Sequence, residues 1–213
     1  MLTIDIYSDT VCPWCFIGKR RLERAISNRG DLVVQINWRA FQLNPDMPTE
    51  GMTRAAYLSG KFGSSERASH VYSTIARAGH TERIAFNFDM IERMPNTVDS
   101  HRLIRFAERF GRQDAIVEIL FRAFFFDGED IGEHATLVRL AAIAGLDARQ
   151  AGEFLSGPEE HDAVLSEDLR ARRMGIGAVP CFVINGAYAL SGAQEPEAFY
   201  PLFDLADVGL AAE

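Results

Sequence analysis

Two cysteines, Cys12 and Cys15, bracket Pro-Trp in the segment TVCPWCFIGKRRLERAI, which begins at Thr10. A C-x-x-C pair can be a metal clip, a structural disulfide or a reactive redox pair. A structural zinc site usually needs four ligands, and the sequence holds one such pair and a single further cysteine, Cys181. Three cysteines in 213 residues are too few for a disulfide scaffold. The count therefore favours the redox pair and predicts no metal.

The segments on either side of the pair predict a strand, a turn and a helix. Apolar and polar residues alternate from Leu2 to Tyr7, which is typical of a strand with one buried face. A helix is predicted from Pro13, which suits a first helical position, to about Asn28, with Gly30 as its stop. The segment LVVQINWRAF predicts a second strand, and a crossover of this kind usually gives parallel strands.

From about Thr53 the spacing becomes helical. Seven segments have helical spacing or composition: TRAAYLSGKF, SERASHVYSTIARAG, TVDSHRLIRFAERFG, DAIVEILFRAFFFDG, EHATLVRLAAIAGL, ARQAGEFLSG and PEEHDAVLSEDLRARRMG. After them, CFVI and AYAL flank Asn185-Gly186, which is a strong hairpin signal. A last helix is expected to begin near Pro196, to be kinked or shortened at Pro201 and to fray at its tail.

This layout predicts an α/β fold in two domains. Residues 1–45 and 175–213 form one discontinuous domain that carries the strands, and residues 46–174 form a helical domain inserted into it.

Composition and charge exclude several classes of protein. The net charge of -8 argues against a general binder of nucleic acid or anionic membranes. No stretch approaches the roughly 20 apolar residues of a membrane span. The start, MLTIDIYSD, lacks the features of a secretory signal, so we expect a cytoplasmic protein. Disulfides in the cytoplasm are usually transient and catalytic.

The predicted helix gives Cys12 and Cys15 different chemistry. Cys12 lies at the first turn, where unpaired N–H groups and the positive end of the helix dipole favour a thiolate. A thiolate is the attacking species in thiol–disulfide exchange. Cys15 lies one turn further on the same face and can resolve a mixed disulfide formed at Cys12. Trp14 either projects outward as an apolar surface for a substrate or packs against the inserted domain.

The combination of these features resembles the thioredoxin fold, and more closely its DsbA-like branch. That branch has a C-x-x-C after a strand, a helical insertion, and a Val-Pro that leads into a hairpin. The segments SDTVCPWCFIGKRRLE, GAVPCFVINGAYALSGAQ and MPNTVDSHRLIRFA look like FrnE-like members. These members are related to 2-hydroxychromene-2-carboxylate isomerases and kappa-class glutathione transferases. The resemblance covers nearly the whole chain and implies a thioredoxin-like sheet with an inserted all-helical domain.

The resemblance also assigns a substrate groove. It implies that the Val179-Pro180 bond is cis and that this loop packs against the cysteine pair. The Val179 backbone could then pair with an extended thiol substrate, as in strand addition. In this family the proline also keeps a metal ion from taking both thiolates. Pro13 and Trp14 complete the predicted substrate surface.

The stretch PNTVDSHRL is a second candidate site. Asn96 or Thr97 can simply cap the helix that follows. His101, one turn further in, can instead face the cleft between the domains and stabilise the Cys12 thiolate or bind a substrate carboxylate. The resemblance favours a binding role for Asn96 and His101. The other histidines are expected at the surface: His70, His80, His134 and His161.

Three further residues have open roles. A buried carboxylate can take the proton from Cys15. Asp9 matches an acidic position of the wider family's D-x-x-C/S-P pattern and either has this role or caps the turn, whereas Asp5 is either a second such base or a solvent-facing strand residue. Strand alternation places Cys181 on the sheet face opposite Pro180, as a small buried apolar residue. The alternatives for Cys181 are a third redox partner or a metal ligand.

Retention of both cysteines predicts a thiol–disulfide oxidoreductase of the DsbA family. The pair would cycle between dithiol and disulfide by exchange with protein or small-molecule thiols. The alternative is a glutathione-dependent isomerase or transferase, whose known relatives carry serine where Cys12 stands and need no resolving cysteine. We expect no bound cofactor. Glutathione is a candidate redox partner. The oligomeric state is left open, with a homodimer as one candidate. The sequence does not define the physiological substrate or the direction of exchange.

Overall fold

The structure is a computed structural model that describes residues 1–30 and 32–210. The strands within them are β1 (Leu2–Ser8), β2 (Val34–Ala40), β3 (Met52–Thr53), β4 (Arg93–Met94), β5 (Cys181–Ile184) and β6 (Tyr188–Ser191). The helices are α1 (Pro13–Ser27), α2 (Arg54–Phe62), α3 (Ser65–Thr81), α4 (Val98–Glu108), α5 (Gln113–Phe125), α6 (His134–Ile143), α7 (Ala148–Ser156), α8 (His161–Arg173) and α9 (Tyr200–Leu210). Two short 3₁₀ turns cover Phe88–Met90 and Pro196–Ala198.

Four of the strands form one sheet in the order β2-β1-β5-β6. β1 and β2 run parallel, with Leu2 opposite Val34 and Ser8 opposite Ala40. This confirms the predicted crossover. β5 runs antiparallel to both β1 and β6, so the first and last parts of the chain share one sheet.

The alternation in β1 gives the sheet one apolar face. Leu2, Ile4 and Ile6 are each at most 1% exposed. In the antiparallel register, Phe182 of β5 lies beside Ile6, and its ring packs edge-on against Phe199 with ring centroids 5.0 Å apart. Burial of these side chains on one face is the main stabilising contribution to the sheet.

The hairpin between β5 and β6 forms where the sequence predicts it. Asn185 and Gly186 both have positive φ angles, +48° and +67°, a conformation that Asn and Gly adopt more readily than other residues. The Asn185 amide donates to the carbonyl of Thr3 over 2.8 Å, and its side-chain Oδ1 accepts from the Thr3 amide over 2.9 Å. The turn therefore also extends the pairing with β1.

Contacts divide the chain into two compact units, residues 1–43 with 167–213 and residues 44–166. We call them the sheet unit and the helical unit. The boundary at which the chain returns to the sheet unit is 166/167, earlier than the predicted 174/175. The reason is that the C-terminal part of α8 forms hydrogen bonds with the end of β2. Glu167 and Asp168 accept the amides of Ala40 and Gln42 over 2.7 and 2.8 Å. Arg172 donates to the Gln42 carbonyl over 2.6 Å.

The helical unit contains the predicted helices α2 to α7 and the first part of α8, so the helical spacing is a reliable signal there. It also holds a short antiparallel ladder that helical spacing did not predict, in which Met52 pairs with Met94 and Thr53 with Arg93. The ladder lies just before α2, whose first amide, Arg54 N–H, donates to the Glu92 carbonyl over 2.8 Å. The predicted all-helical insertion is therefore helical apart from this ladder.

The last helix begins later than expected. Pro196 opens a 3₁₀ turn, and Pro201 lies in the first turn of α9, which continues to Leu210. A proline in a first turn loses no helical hydrogen bond, so Pro201 starts the helix and does not kink it. The end of the predicted frayed tail, residues 211–213, lies outside the described residues. Among residues 1–30 and 32–210, no helix has both the length and the apolar character that a membrane crossing needs.

Candidate redox site

The start of α1 presents the cysteine pair. Cys12 is the residue before the helix and has an extended backbone, with φ -92° and ψ 109°. Its amide donates to the Asp9 carbonyl over 3.0 Å, and its own carbonyl accepts from Cys15 N–H over 3.0 Å. Pro13 occupies the first helical position and is half-buried, as is Trp14. The turn from β1 into α1 therefore holds Cys12 at the positive end of a helix of 15 residues.

The two cysteines lie close enough to react with each other. Cys12 and Cys15 are 3.2 Å apart, and both are free thiols that are at most 3% exposed. The Cys12 thiol donates to the carbonyl oxygen of Val179, with 3.7 Å between Sγ and O. The segment before β5 thus reaches the reactive end of α1 through its backbone.

The environment of Cys15 favours the neutral thiol. Burial raises the pKa of Cys15 well above its ordinary 9.0, and hydrogen bonding to Cys12 and the charge of a Cys12 thiolate raise it further. Hydrogen bonds from Ser8 and from the backbone of Asp9 lower the pKa by less than burial raises it. Cys15 therefore stays protonated at neutral pH, as expected of a resolving thiol that must wait for a mixed disulfide.

The raised pKa of Cys15 predicts a pH-dependent stability of the reduced protein. Well below pH 9.0 the thiol is protonated in both the folded and the unfolded states. Above it the unfolded chain loses this proton first, so the free energy of unfolding falls as pH rises toward the folded pKa. Thermal unfolding under reducing conditions between about pH 8 and 10.5 should show a steeper loss for the wild type than for Cys15→Ala. Parallel curves for the two proteins would contradict the assignment.

Val179 and Pro180 form the second part of the site. Their peptide bond is cis, and both residues are buried. Gly18 of α1 faces this loop. A Cβ atom at Gly18 would lie 2.8 Å from Pro180 Cγ and 3.1 Å from Phe182 Cζ, which is closer than carbon atoms pack. Glycine at this position is what lets α1 approach the Pro180 ring.

We expect Gly18→Ala to destabilise the sheet unit. Alanine gains about 1 kcal/mol in helix propensity, but overpacking against a proline ring costs about 1–3 kcal/mol, so the net free energy of unfolding should fall. Trp14 and Trp38 both lie in the sheet unit, and their fluorescence during urea unfolding reports on it. Gly60→Ala is the matched control, because Gly60 is also helical and a Cβ there meets nothing within 4 Å. Urea unfolding followed by circular dichroism should show that Gly60→Ala is stabilised. If the free energy of unfolding changes in the same direction in both variants, the packing argument is refuted.

Cys181 lies on the face of the sheet away from α1. The register places Cys181 beside Tyr7 and Phe182 beside Ile6. The atoms nearest to a Cβ at Gly18 belong to Pro180 and Phe182, so strand alternation puts Cys181 on the opposite face. Cys181 is 5% exposed, and burial raises its pKa. This is the placement that strand alternation predicts for a buried apolar residue.

Known proteins share the architecture of this chain. Residues 3–202 match the family described as the DSBA-like thioredoxin domain. The chain belongs to this family. A probable DsbA oxidoreductase of Streptomyces coelicolor, SCO1869, is 31% identical, with a TM-score of 0.86 over 97% of this chain and 90% of its own. The DSBA-like fold predicted from the sequence is thereby confirmed.

Two further structural neighbours share the fold at low identity. A 2-hydroxychromene-2-carboxylate isomerase is 16% identical, with a TM-score of 0.70 over 98% of this chain and 96% of its own. The cytosolic disulfide reductase DsbM of Pseudomonas aeruginosa is 18% identical, with a TM-score of 0.65 over 99% and 97%. DsbM has also been solved with glutathione. At these identities the likeness shows the fold alone.

The two aspartates near the pair have structural partners in this DSBA-like chain. Asp9 is fully buried, and its Oδ2 accepts the Leu43 amide over 2.7 Å, so it ties the active-site turn to the segment after β2. Asp5 Oδ1 accepts from Arg39 Nε over 2.9 Å and from Asn37 Nδ2 over 3.1 Å. Asp5 is thus a paired strand residue on the face away from α1.

Asn96 and His101 belong to the helical unit. Asn96 Nδ2 donates to the Met47 carbonyl over 2.7 Å, and its Oδ1 accepts the Val98 amide over 2.9 Å. Asn96 thus bonds the first amide of α4, while the Thr97 side chain makes no capping bond. His101 is 3% exposed within α4. The predicted binding roles of Asn96 and His101 stay predictions.

The remaining histidines are exposed, as predicted: His70, His80, His134 and His161. Within the described ranges 1–30 and 32–210, no group of three or more His, Cys, Asp or Glu side chains is placed to hold a metal ion.

Sequence reasoning missed Gly18, which shapes the loop at Pro180, and Ser8, which bonds to Cys15. The signal for Gly18 was available, because a lone glycine inside a helical pattern costs about 1 kcal/mol against alanine and usually has a packing reason. Nothing in the sequence pattern distinguishes Ser8 from any other polar residue at a strand end.

Proposed function

We propose that this protein is a thiol–disulfide oxidoreductase in which Cys12 attacks and Cys15 resolves. The observation that carries the proposal is the pair of buried thiols, 3.2 Å apart at the start of α1, with the Cys12 thiol against the Val179 carbonyl. The raised pKa of Cys15 supports the division of roles. Pro13, Trp14, Val179 and Pro180 are proposed to contact the substrate.

The exchange takes place in two steps. The Cys12 thiolate attacks one sulfur of a substrate disulfide, forms a Cys12–substrate mixed disulfide and releases the other substrate sulfur as a thiolate, which takes up a proton. Cys15 then loses its proton and attacks Cys12 Sγ, which forms the Cys12–Cys15 disulfide and releases the second substrate thiol. Two electrons pass from the protein to the substrate. The reverse sequence oxidises a dithiol substrate, and the reduction potential decides the direction.

Glutathione is the proposed reducing partner. One glutathione thiolate attacks the Cys12–Cys15 disulfide, and a second attacks the resulting mixed disulfide, which gives oxidised glutathione and the dithiol protein. The fold shared with DsbM, a disulfide reductase solved with glutathione, supports this choice. Such a cycle suits the cytoplasm, where the sequence predicts this protein to act.

A redox titration tests the proposal. The protein is equilibrated with glutathione buffers of varied ratio, quenched by alkylation and analysed by mass spectrometry. We expect one two-electron transition in which a Cys12–Cys15 disulfide replaces two alkylated thiols. Cys181→Ser should titrate identically, because Cys181 lies on the other face of the sheet. Failure to form the intramolecular disulfide at any ratio would refute the proposal.

The fold shared with the isomerase keeps a glutathione-dependent isomerase as the second candidate. In that chemistry the protein activates a bound glutathione thiol, so a resolving cysteine has no role. Isomerisation of 2-hydroxychromene-2-carboxylate that requires glutathione and survives Cys15→Ala would support this second reaction. If the wild-type protein does not turn over the chromene with glutathione present, the isomerase function is excluded.

A further inference from the structure

A cavity of about 850 Å³ opens within the helical unit. Its walls come from α2, from α3 and from the segment Phe86–Asp89. The volume lies in the range of sites for small molecules, about 300–1,000 Å³. It involves neither cysteine of the redox pair, so the proposed thiol chemistry does not account for it.

Aromatic rings form one wall of this cavity. Phe86 and Phe88 stack with ring centroids 4.8 Å apart and planes at 14°. Tyr72 of α3 meets Phe88 edge-on at 4.6 Å. These three side chains line the cavity and give it apolar surface of the kind that an aromatic ligand packs against.

Arg54, the first residue of α2, adds a positive charge to that wall. Its guanidinium carbon lies 5.0 Å from the centroid of the Tyr72 ring and 6.0 Å from that of Phe88. In the part of the chain that the structure describes, no carboxylate forms an ion pair with this guanidinium. The stacked arginine is therefore held in place by the rings and can bind a carboxylate through its planar fork of N–H donors.

The rest of the lining selects for size and charge. Small side chains of α3 also line the cavity: Ala68, Ser69, Ser73 and Ala76. Asp89 also lines the cavity and is exposed, and its carboxylate would repel a second negative charge on the ligand. The lining thus suits a molecule with a flat ring and a single carboxylate.

We propose that this cavity binds a small aromatic monocarboxylate, with the carboxylate on Arg54 and the ring against Phe86, Phe88 and Tyr72. The site is separate from the redox pair and does not depend on the proposed oxidoreductase activity.

Titration calorimetry with 4-hydroxycinnamate as the probe tests the proposal on the full chain. We expect saturable binding with Kd below about 1 mM, and binding at least about tenfold weaker for the neutral amide of the same acid. Amide chemical shifts in the NMR spectrum should change at α2 and α3. No saturable binding of the acid up to about 5 mM, or equal binding of acid and amide, would overturn the proposal.

Two variants and one control locate the site. Arg54→Gln removes the charge and Ala76→Leu fills the cavity, and each should weaken binding of 4-hydroxycinnamate about tenfold or more. Arg67→Gln is the control. Arg67 is exposed on α3, the helix that carries Ala76, and it does not line the cavity. This variant should bind like the wild type. Unchanged binding by both Arg54→Gln and Ala76→Leu, or an equal loss in all three variants, would place any binding elsewhere.

Discussion

Cys12→Ser should lower the rate of insulin disulfide reduction with glutathione by at least about 100-fold, because a serine hydroxyl is a far weaker nucleophile than a thiolate and cannot form a disulfide. The substitution is nearly isosteric at a site that is 3% exposed, so the fold should be retained. Turbidity from precipitated insulin chains gives the rate, and circular dichroism checks the fold. Full activity in Cys12→Ser would exclude Cys12 as the nucleophile.

Cys15→Ser should fail in a different way. The first attack at Cys12 remains possible, but the mixed disulfide has no internal thiol to resolve it. Mass spectrometry should therefore find substrate or glutathione covalently held at Cys12 in this variant and not in Cys12→Ser.

Cys181→Ser is the matched control for both variants. It removes a third buried thiol of the same chain, but this thiol lies beside Tyr7 on the face of the sheet away from α1. Its insulin reduction should stay within about twofold of the wild type. A large loss would mean that Cys181 takes part in exchange, which was the alternative that strand alternation disfavoured.

The cysteine pair and the elements around it could be predicted because their signals are local. Strand alternation, a proline at a first helical position and Asn185-Gly186 each act within a few residues of the chain. The role of Asp9 could not be predicted, because its carboxylate bonds to Leu43 N–H. The approach of α1 to Pro180 at Gly18 likewise joins residues far apart in sequence. Long-range contacts of this kind leave no periodic trace.

The domain boundary illustrates the same limit. The helical spacing begins near Thr53 and the predicted boundary at 45/46 precedes it, whereas the contacts divide the chain at 43/44. The second boundary falls inside α8, where the helical pattern is continuous. It is decided by Glu167 and Asp168, which bond to backbone amides at the end of β2.

Arg102→Met should produce the largest loss of stability in the helical unit. The Arg102 side chain is 4% exposed. Its guanidinium donates hydrogen bonds to carbonyl groups at the C-terminal end of the neighbouring helix α7. Nε donates to the Glu159 carbonyl over 2.7 Å, and the terminal nitrogens donate to the carbonyls of Phe154 and Leu155 over 2.9 and 3.1 Å and to that of Gly157. Asp99 pairs with the same guanidinium at 2.7 Å.

The loss follows from what Arg102 satisfies. The last carbonyls of a helix have no intrahelical donor. Arg102 bonds to two of those of α7, Phe154 and Leu155, at the negative end of the helix dipole. It also bonds to the carbonyls of Gly157 and Glu159 just beyond the helix. Methionine preserves the apolar stem and removes every donor, which leaves buried acceptors and the Asp99 carboxylate without this partner. Removing one member of a buried charged network costs about 3–5 kcal/mol, and we expect the free energy of unfolding to fall by that amount.

Arg149→Met separates this network from the loss of an ordinary ion pair. Arg149 lies on α7 itself and pairs with Glu153 at 2.8 Å, but the two side chains are 72% and 64% exposed. Exposed pairs contribute about 0–1 kcal/mol, so urea unfolding followed by circular dichroism should barely change in this variant. Arg102→Lys should recover only part of the loss, because an ammonium group cannot reach acceptors that a planar fork spans. If the free energy of unfolding falls as little for Arg102→Met as for Arg149→Met, the four hydrogen bonds from Arg102 to carbonyl groups contribute little to the stability of the helical unit.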